Sequence, residues 1–230
     1  MDNIVILTGA GISAESGMGT FRGAGGLWEN QRVQDVATPE GFARDPAMVH
    51  AFYNARRQRA ATVAPNAAHH AIARLQRGHP GKVTLITQNV DALHEKGGSP
   101  FVIHLHGRLA GALCAACDYR WESPAKMSPG HPCPSCNAPA ARPDVVWFGE
   151  LPYHMEDIYD ALTTCSLFAA IGTSGQVYPA AGFVQEAFRA GAHTVEINLE
   201  PSAVVSDFAE TRFGPATQTV PAWVNDVLRT

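Results

Sequence analysis

The sequence predicts an α/β protein in which helices cover both faces of a parallel sheet and a small second domain is attached. The first observation behind this prediction is a set of short apolar runs bounded by turn residues, which suits strands buried on both faces. The second is the presence of helical patterns between these runs, since alternating strands and helices are typical of parallel sheets. The third is a pair of segments that break this rhythm and are interpreted as insertions beside the sheet.

The predicted strands and helices alternate along the chain. The first strand, residues 3–8, leads directly into a glycine-rich turn, and further strands are predicted at 83–87, 101–104, 167–171 and 194–198. Helices are predicted at 51–58, 67–76, 179–190 and 222–228. We expect residues 1–25, 67–107 and 146–230 to form the sheet domain. Residues 26–66, which suit helices and loops, and residues 108–145, which contain paired cysteines, would form the small domain.

Composition and charge exclude several classes of protein. The chain has 230 residues and a formal net charge of −4, with no block of basic residues, so direct nucleic-acid binding is not expected. No apolar run approaches the roughly 20 residues that span a bilayer. The N-terminal residues lack the features of a secretory signal, and a cytoplasmic location is expected. A monomer is the default expectation, because no unexplained apolar stripe is evident.

Four cysteines form the strongest single motif. Cys114 and Cys117 make one CxxC pair, Cys133 and Cys136 make a second, and this spacing is typical of a zinc site. Four thiolates complete a tetrahedral shell with no open position, so the predicted zinc is structural. Redox-active cysteines and a vacant site are the alternatives, and a disulfide framework is disfavoured without a secretory signal. Cys165 stands apart in an apolar run and is interpreted as a small buried side chain.

The turn after the first strand matches a dinucleotide-binding motif. Gly9, Gly11 and Ala14 satisfy the pattern GxGxxG/A, which lets a backbone approach a pyrophosphate in a strand–turn–helix setting. This predicts a Rossmann-like domain, and a tight turn without a ligand is the alternative. Dehydrogenases of this fold place an acid at the end of a second strand roughly 20 residues on. Glu29 has about that spacing but no strand precedes it, which favours a reaction other than hydride transfer.

Five longer motifs occur together and in a fixed order. They are GAGISAESGMGTFRGAGGLW at 9–28, TQNVD at 87–91, HLHG at 104–107, VVWFGE at 145–150 and GTSGQVYPA at 172–180. This set resembles the sirtuins, NAD-dependent protein lysine deacylases, and is most similar to the bacterial CobB type, whose class III relatives include desuccinylases. The resemblance implies a Rossmann-like domain, a small domain with a zinc module and a helical module, and a cleft where NAD meets an acyl-lysine protein or peptide.

The resemblance also implies which residues contact NAD. Matched motif by motif, these are Gly9, Ala10, Gly11, Ala14, Thr20, Phe21, Arg22, Trp28, Gln88, Asn89, Val90, Asp91, Gly172, Thr173, Ser174, Asn198, Leu199, Glu200 and Ala216. The residues at 88–91 would surround the nicotinamide and its ribose, and those at 172–174 and 198–200 the phosphates and the adenosine ribose. A polar loop without a ligand is the alternative for 88–91, although parallel sheets bind ligands at the carboxyl edge of their strands.

The implied reaction transfers the acyl group of a modified lysine to ADP-ribose and releases nicotinamide. One step removes a proton from a ribose hydroxyl, for which a neutral imidazole is suited. His106 is the predicted base because the family motif places the catalytic histidine immediately before a glycine, and His104 is its competitor. Asn89 would bind ribose hydroxyls or an ordered water. Asp91 would accept a hydrogen bond from the nicotinamide amide.

Two groups of residues are implied to bind the substrate. Val146, Trp147, Phe148 and Gly149 would pair with the peptide backbone as an added strand. Tyr53 and Arg56 lie three positions apart and therefore on one helix face, where family members that remove acidic acyl groups have the pattern YxxR. A guanidinium and a phenol suit a carboxylate, and the alternative is a packing tyrosine beside a solvated arginine.

The sequence departs from the family pattern at Gly19, Arg108 and Asp144, which could alter the rate or loop closure without touching the predicted chemistry. Two other functions remain open at this point. One is protein ADP-ribosyl transfer, which breaks the same bond of NAD. The other is a non-catalytic sensor of NAD or acyl-lysine.

Overall fold

Two sheets organise the protein, whose computed structural model describes residues 2–20 and 32–229. The strands are β1 Ile4–Thr8, β2 Val83–Thr87, β3 Ile103–His104, β4 Gly107–Cys114, β5 Arg120–Glu122, β6 Ala141–Val145, β7 Leu167–Ile171, β8 His193–Asn198 and β9 Glu210–Phe213. Six of them form a parallel sheet in the order β3-β2-β1-β7-β8-β9, and the others form an antiparallel sheet in the order β5-β4-β6. The predicted parallel sheet is thus confirmed.

Helices connect the parallel strands, and others pack beside the antiparallel sheet. They are α1 Gly11–Ala14, α2 Val33–Val36, α3 Pro39–Arg44, α4 Pro46–Thr62, α5 Ala67–Gly78, α6 Leu93–Lys96, α7 Met155–Thr164, α8 Phe183–Arg189 and α9 Ala216–Val227, with short 3-10 turns at Ala180–Gly182 and Val205–Asp207. Within residues 2–20 and 32–229, no helix combines the length and apolar character that crossing a membrane requires.

The bounds of several elements differ from the prediction, and the helix expected at 51–58 extends over Pro46–Thr62. The strand expected at 101–104 is reduced to Ile103–His104 at the sheet edge, and the helix expected at 179–190 begins as a 3-10 turn. The last helix starts at Ala216, six residues before the predicted start, and contains Pro221. Pro221 lies in the interior of this helix, where a proline is disfavoured. Burial of the neighbouring Val220, Trp223 and Val224 offsets that cost.

The central strand β1 separates two apolar cores, which explains its unbroken apolar run. Ile4 and Ile6 pack in a cluster that includes Trp223 of α9, whereas Val5 and Leu7 pack in a second cluster with Phe183 of α8. Successive side chains of a strand point to opposite faces, so both faces of β1 are covered by helices. This is the layered arrangement that the sequence predicts.

Helix α4 carries the segment that faces the cleft. It begins at Pro46 after Asp45, whose carboxylate accepts a hydrogen bond from the Met48 N–H at 2.9 Å, a typical helix start. Tyr53 on this helix packs with Val145 and Trp147 from the end of β6 and the residues after it. This contact fixes the position of α4 against the antiparallel sheet.

Candidate active site

A cleft of about 1160 Å³ lies along the carboxyl edge of the parallel sheet and extends to α4. That volume exceeds the range of roughly 300–1,000 Å³ in which drug-sized ligands bind, so an extended dinucleotide fits. The predicted site residues that line it are Gly9, Ala10, Gly11, Ala14, Thr20, Tyr53, Arg56, Gln88, Asn89, Val90, His106, Val146, Trp147, Phe148, Gly149, Gly172, Thr173, Ser174, Asn198, Leu199, Glu200 and Ala216. The predictions for Phe21, Arg22 and Trp28 lie outside the described residues.

The glycine turn packs directly on the loop that follows β7. A Cβ at Gly9 would lie 2.7 Å from the Gly172 carbonyl oxygen, and one at Gly11 would lie 2.7 Å from the Gly172 Cα. The N–H groups of Gly9 and Gly11 donate to Ile171 and Gly172 at 3.0 and 2.8 Å. These glycines therefore allow two loops to meet, a role in addition to the predicted approach of a pyrophosphate.

Side chains tie together the ends of β2, β7 and β8 at the floor of the cleft. Gln88 donates to the Thr173 hydroxyl at 3.1 Å, and the Asn198 amide donates to the Thr173 carbonyl at 2.8 Å. Glu196, which the sequence analysis did not select, is fully buried and accepts from Asn198 and from the Ser202 N–H at 3.0 Å. The sequence feature that could have indicated Glu196 is a carboxylate within an otherwise apolar predicted strand.

Asn89 and Asp91 have different surroundings. The Asn89 amide nitrogen donates to the Gly9 carbonyl at 3.0 Å and to the Ser13 hydroxyl at 3.2 Å, which leaves Oδ1 as its contribution to the cleft. Asp91 lies below the cleft in a small recess that Arg56 also lines. It accepts hydrogen bonds from Ser13 and from the Leu93 N–H, and burial raises the pKa of its carboxyl group.

The two histidines of HLHG differ in the atoms they leave available. His106 places Nδ1 3.2 Å from the Gln88 carbonyl, which only accepts, so Nδ1 carries the proton and Nε2 is the basic atom. Burial lowers the pKa of His106, which keeps the ring neutral near pH 7. His104 contacts acceptors with both nitrogens, the Asn89 carbonyl at 3.2 Å and the Glu95 carboxylate at 2.6 Å. This geometry favours His106 as the base.

Tyr53 and Arg56 lie at the same end of the cleft. The Trp147 indole N–H donates to the Tyr53 hydroxyl oxygen at 2.9 Å, and burial raises the pKa of Tyr53 to about 12. Burial lowers the pKa of Arg56, which lies over the Phe52 ring at 5.9 Å. Other arginines of α4 bind backbone carbonyl groups elsewhere, as Arg57 does at Leu109.

The stretch 146–149 lies beyond the end of β6 and is not itself a strand. Its N–H groups are largely engaged: Val146 donates to the His106 carbonyl at 3.0 Å, and Phe148 to the Ala37 carbonyl at 2.9 Å. Trp147 donates to the Glu150 carboxylate at 2.8 Å. Peptide pairing along this stretch would therefore use its carbonyl groups and the Gly149 N–H.

The four paired cysteines converge on one point, with all four sulfur atoms within 4.8 Å of one another. The Cys114–Cys136 and Cys117–Cys133 sulfur pairs are 3.7 and 3.8 Å apart. Ligands at a Zn–S distance of about 2.3 Å on a tetrahedron lie about 3.8 Å apart, so the donor set fits zinc. Backbone N–H groups donate to two of the sulfurs, Ala116 to Cys114 and Ser135 to Cys133. None of the described cysteines is in a disulfide.

Comparisons with known proteins agree with this architecture. The family model described as "Sir2 family" matches residues 9–179. An NAD-dependent protein deacylase of Vibrio parahaemolyticus is 57% identical over 98% of this chain and 95% of its own length, and one of Escherichia coli K12 is 54% identical over 98% and 82%.

Solved structures show the same relationship. The crystal structure of a Sir2 homolog–NAD complex is similar with a TM-score of 0.90 and 37% identity, covering 99% of this chain and 90% of that one. A Sir2 variant with a deacetylated peptide and 3′-O-acetyl ADP-ribose has a TM-score of 0.78 and 27% identity, over 98% and 92%. Because the family model matches most of its length and these relatives have more than 50% sequence identity to it, the chain belongs to the Sir2 family, the sirtuins.

Proposed function

We propose that the protein is an NAD-dependent lysine deacylase that removes acetyl groups and also acidic acyl groups, succinyl and malonyl, to give nicotinamide and O-acyl-ADP-ribose. The deacylase class is supported by the names of the curated relatives and by the family match. The observation that supports the acidic acyl groups is the placement of Arg56 and Tyr53 in the cleft that also contains His106. Its substrates would be acyl-lysine proteins or peptides.

The proposed mechanism assigns one task to each polar group of the cleft. NAD, when bound, supplies a glycosidic bond to nicotinamide whose cleavage drives the transfer. His106 Nε2 takes a proton from a ribose hydroxyl, since Nδ1 is engaged with the Gln88 carbonyl. Asn89 Oδ1 accepts a hydrogen bond from a hydroxyl or a water. Asp91, below the cleft, would act through Ser13 and Asn89 or on the nicotinamide amide.

The acyl-binding end of the cleft suits a carboxylate for two physical reasons. Arg56 brings a positive charge into a partly buried position, where an ionic hydrogen bond is stronger than at the surface. Tyr53 stays a neutral phenol because its pKa is raised by burial, so it donates a hydrogen bond and adds no negative charge. An acetyl group ends in a methyl group and gains from neither interaction.

The four-cysteine cluster is proposed to hold one structural zinc ion through Cys114, Cys117, Cys133 and Cys136. Four thiolates leave no position for substrate, so the ion takes no part in the reaction. We propose the cytoplasm as the location, because thiolates that bind zinc must stay reduced and a reducing compartment keeps them so.

The acyl preference is tested by comparing acetyl-, succinyl- and malonyl-lysine peptides with NAD for the wild type and for Arg56→Met, Tyr53→Phe and the double variant. Loss of hydrogen bonds to a charged group corresponds to roughly tenfold or more for each side chain. We therefore expect kcat/KM for desuccinylation to fall about 100-fold in the double variant, with deacetylation largely retained. Arg59→Met, which removes a surface arginine of the same helix, is the matched control and should leave the ratio of the two activities unchanged.

Mass spectrometry of the products separates the possible functions. O-acyl-ADP-ribose from the wild type supports deacylation, and its absence with every peptide overturns the proposal. ADP-ribose attached to protein would instead identify a transferase. An equal loss of deacetylation and desuccinylation in the double variant would show that Tyr53 and Arg56 have a structural role and do not select the acyl group.

A further inference from the structure

We propose that Trp147 determines the preference for acidic acyl groups by holding the Tyr53 hydroxyl as a hydrogen-bond donor toward the cleft. This inference rests on the proposed desuccinylase function and adds a positioning residue to it. Trp147 does not itself bind the carboxylate in this account. Its indole acts on Tyr53, and Tyr53 acts on the substrate.

The direction of one hydrogen bond carries the proposal. An indole N–H can only donate, so at 2.9 Å the Tyr53 oxygen is the acceptor from Trp147. The phenol proton must then point away from the indole. Within residues 2–20 and 32–229 no side chain or carbonyl is found that accepts this proton, and Tyr53 lines the cleft. Because burial raises the pKa of Tyr53, the proton stays on the oxygen at neutral pH.

Trp147 is itself held firmly enough to serve as a fixed donor. Its side chain is 2% exposed, and its ring lies 5.2 Å from the Phe42 ring and 3.6 Å from the Arg142 guanidinium carbon. Its backbone N–H donates to the Glu150 carboxylate at 2.8 Å. With its ring packed on two sides and its backbone anchored, the indole N–H has a single direction. A donor held in this way loses little conformational entropy when the ligand binds.

Arg142, the cation that lies against the Trp147 ring, does not line the cleft, whereas Arg56 does. Arg142 forms a two-point ion pair with Glu150, with N–O distances of 2.5 and 3.0 Å, and also donates to the Val145 carbonyl at 2.9 Å. The Glu150 carboxylate thereby neutralises the charge of Arg142. Arg56 and Tyr53 are the pair that lines the cleft, and Trp147 orients the neutral member of that pair.

The test is the Trp147→Phe variant, which removes the N–H donor and keeps an aromatic ring in the same packing. We expect the ratio of kcat/KM for a succinyl-lysine peptide to kcat/KM for an acetyl-lysine peptide to fall about tenfold. Trp121→Phe, in the antiparallel sheet at β5, makes the same chemical change away from the cleft and should leave both activities unchanged. An equal loss of both activities in Trp147→Phe overturns the proposal.

A double-mutant cycle with Tyr53→Phe checks that Trp147 acts through Tyr53. In the Tyr53→Phe background, Trp147→Phe should cause no further change in the succinyl-to-acetyl ratio, because no hydroxyl remains to be oriented. Losses that multiply would show that the two residues act independently and would overturn the inference. A wild type that removes no succinyl group overturns the proposed function itself, so the two failures are distinguishable.

Thermal unfolding supplies a measurement that does not depend on activity. Tyr53→Phe leaves the buried indole N–H without its acceptor, whereas the double variant removes both partners. We expect the decrease in unfolding temperature of the double variant to be smaller than the sum of the decreases in the two single variants. A double variant that melts at the sum of the two single losses would contradict a hydrogen bond of this kind and would overturn the inference.

Discussion

His104 and His106 lie two residues apart, yet their ring nitrogens meet different partners. Both nitrogens of His104 contact acceptors, whereas His106 contacts one through Nδ1 alone, and His106 lines the cleft. The same logic applies to Asn89, whose amide protons are engaged and whose Oδ1 remains. For both residues, the proposed role depends on the one side-chain polar atom that makes no hydrogen bond within residues 2–20 and 32–229.

The protonation of His106 gives a testable pH profile. Burial lowers its pKa, and the base must be neutral, so activity should persist as the pH falls below the ordinary histidine pKa of about 6.5. We expect the acid limb of kcat/KM with an acetyl-lysine peptide to lie below pH 6.5. An acid limb above pH 7 would contradict this expectation.

A substitution at His106 separates catalysis from binding. His106→Tyr should abolish turnover while NAD binding, measured by calorimetry, is retained. The same substitution at His104 removes the contact with Glu95 and serves as the comparison. Undiminished turnover in His106→Tyr would show that this residue is not the base.

Several residue-level features followed from the sequence, and others could not. Helical spacing placed Tyr53 and Arg56 on one face because that relation is local. The indole of Trp147 reaches Tyr53 across 94 positions of sequence, and only the folded chain reveals that contact. The same holds for Gly11, which the motif assigns to ligand approach but which also packs on Gly172.

At the scale of the element, the cysteine segment depends on its predicted metal. The antiparallel sheet has a small apolar cluster of its own, Ala112, Met127 and Ala141 with Trp121 against it. Burial of so few side chains stabilises a segment only weakly. The four sulfurs hold the two loops of this segment at one point, so zinc would contribute folding free energy rather than chemistry.

Removal of the metal should therefore unfold this segment before the parallel sheet. We expect one zinc per chain by elemental analysis, and a lower unfolding temperature after treatment with a strong chelator. Cys114→Ser should lose the metal, whereas Cys165→Ser, which removes a thiol buried in the other sheet domain, should keep it. A metal-free preparation with unchanged stability would contradict a structural zinc.

Element positions were predictable where one physical signal dominated. The run 83–87 predicts β2 at its observed bounds because an apolar strand between turn residues has few alternatives. The start of α9 was wrong because Pro221 is a strong local signal against a helix interior, and tertiary burial of Trp223 overrides it. Antiparallel pairing in the cysteine segment could not be predicted, since it follows from contacts between distant residues.

At the scale of the whole molecule, buried histidines couple the fold to pH. His50, His69, His94 and His106 are all at least partly buried, and burial lowers the pKa of each. For His69 the lowered value is about 4. The unfolded chain binds more protons than the folded chain below about pH 6.5, so the free energy of unfolding should fall as the pH falls.

Urea unfolding between pH 6.5 and pH 5 measures this coupling. Each histidine that stays neutral in the folded state contributes up to about 1.4 kcal/mol of lost stability per pH unit. His69→Gln should reduce the slope by about one proton. A free energy of unfolding that stays constant over this range would show that the buried rings are not neutral.

The central position of β1 has a consequence for synthesis of the protein. Strand β1, which precedes both of its partners in the chain, pairs on one side with β2 and on the other with β7, whose first residue is Leu167. The glycine turn that follows β1 completes its packing only when Gly172 has been made. The nucleotide end of the cleft therefore cannot assemble on a nascent chain that ends before Gly172. Until then, ribosome-bound intermediates would expose the edge of β1 that pairs with β7, and chaperones that bind exposed apolar strands would recognise them.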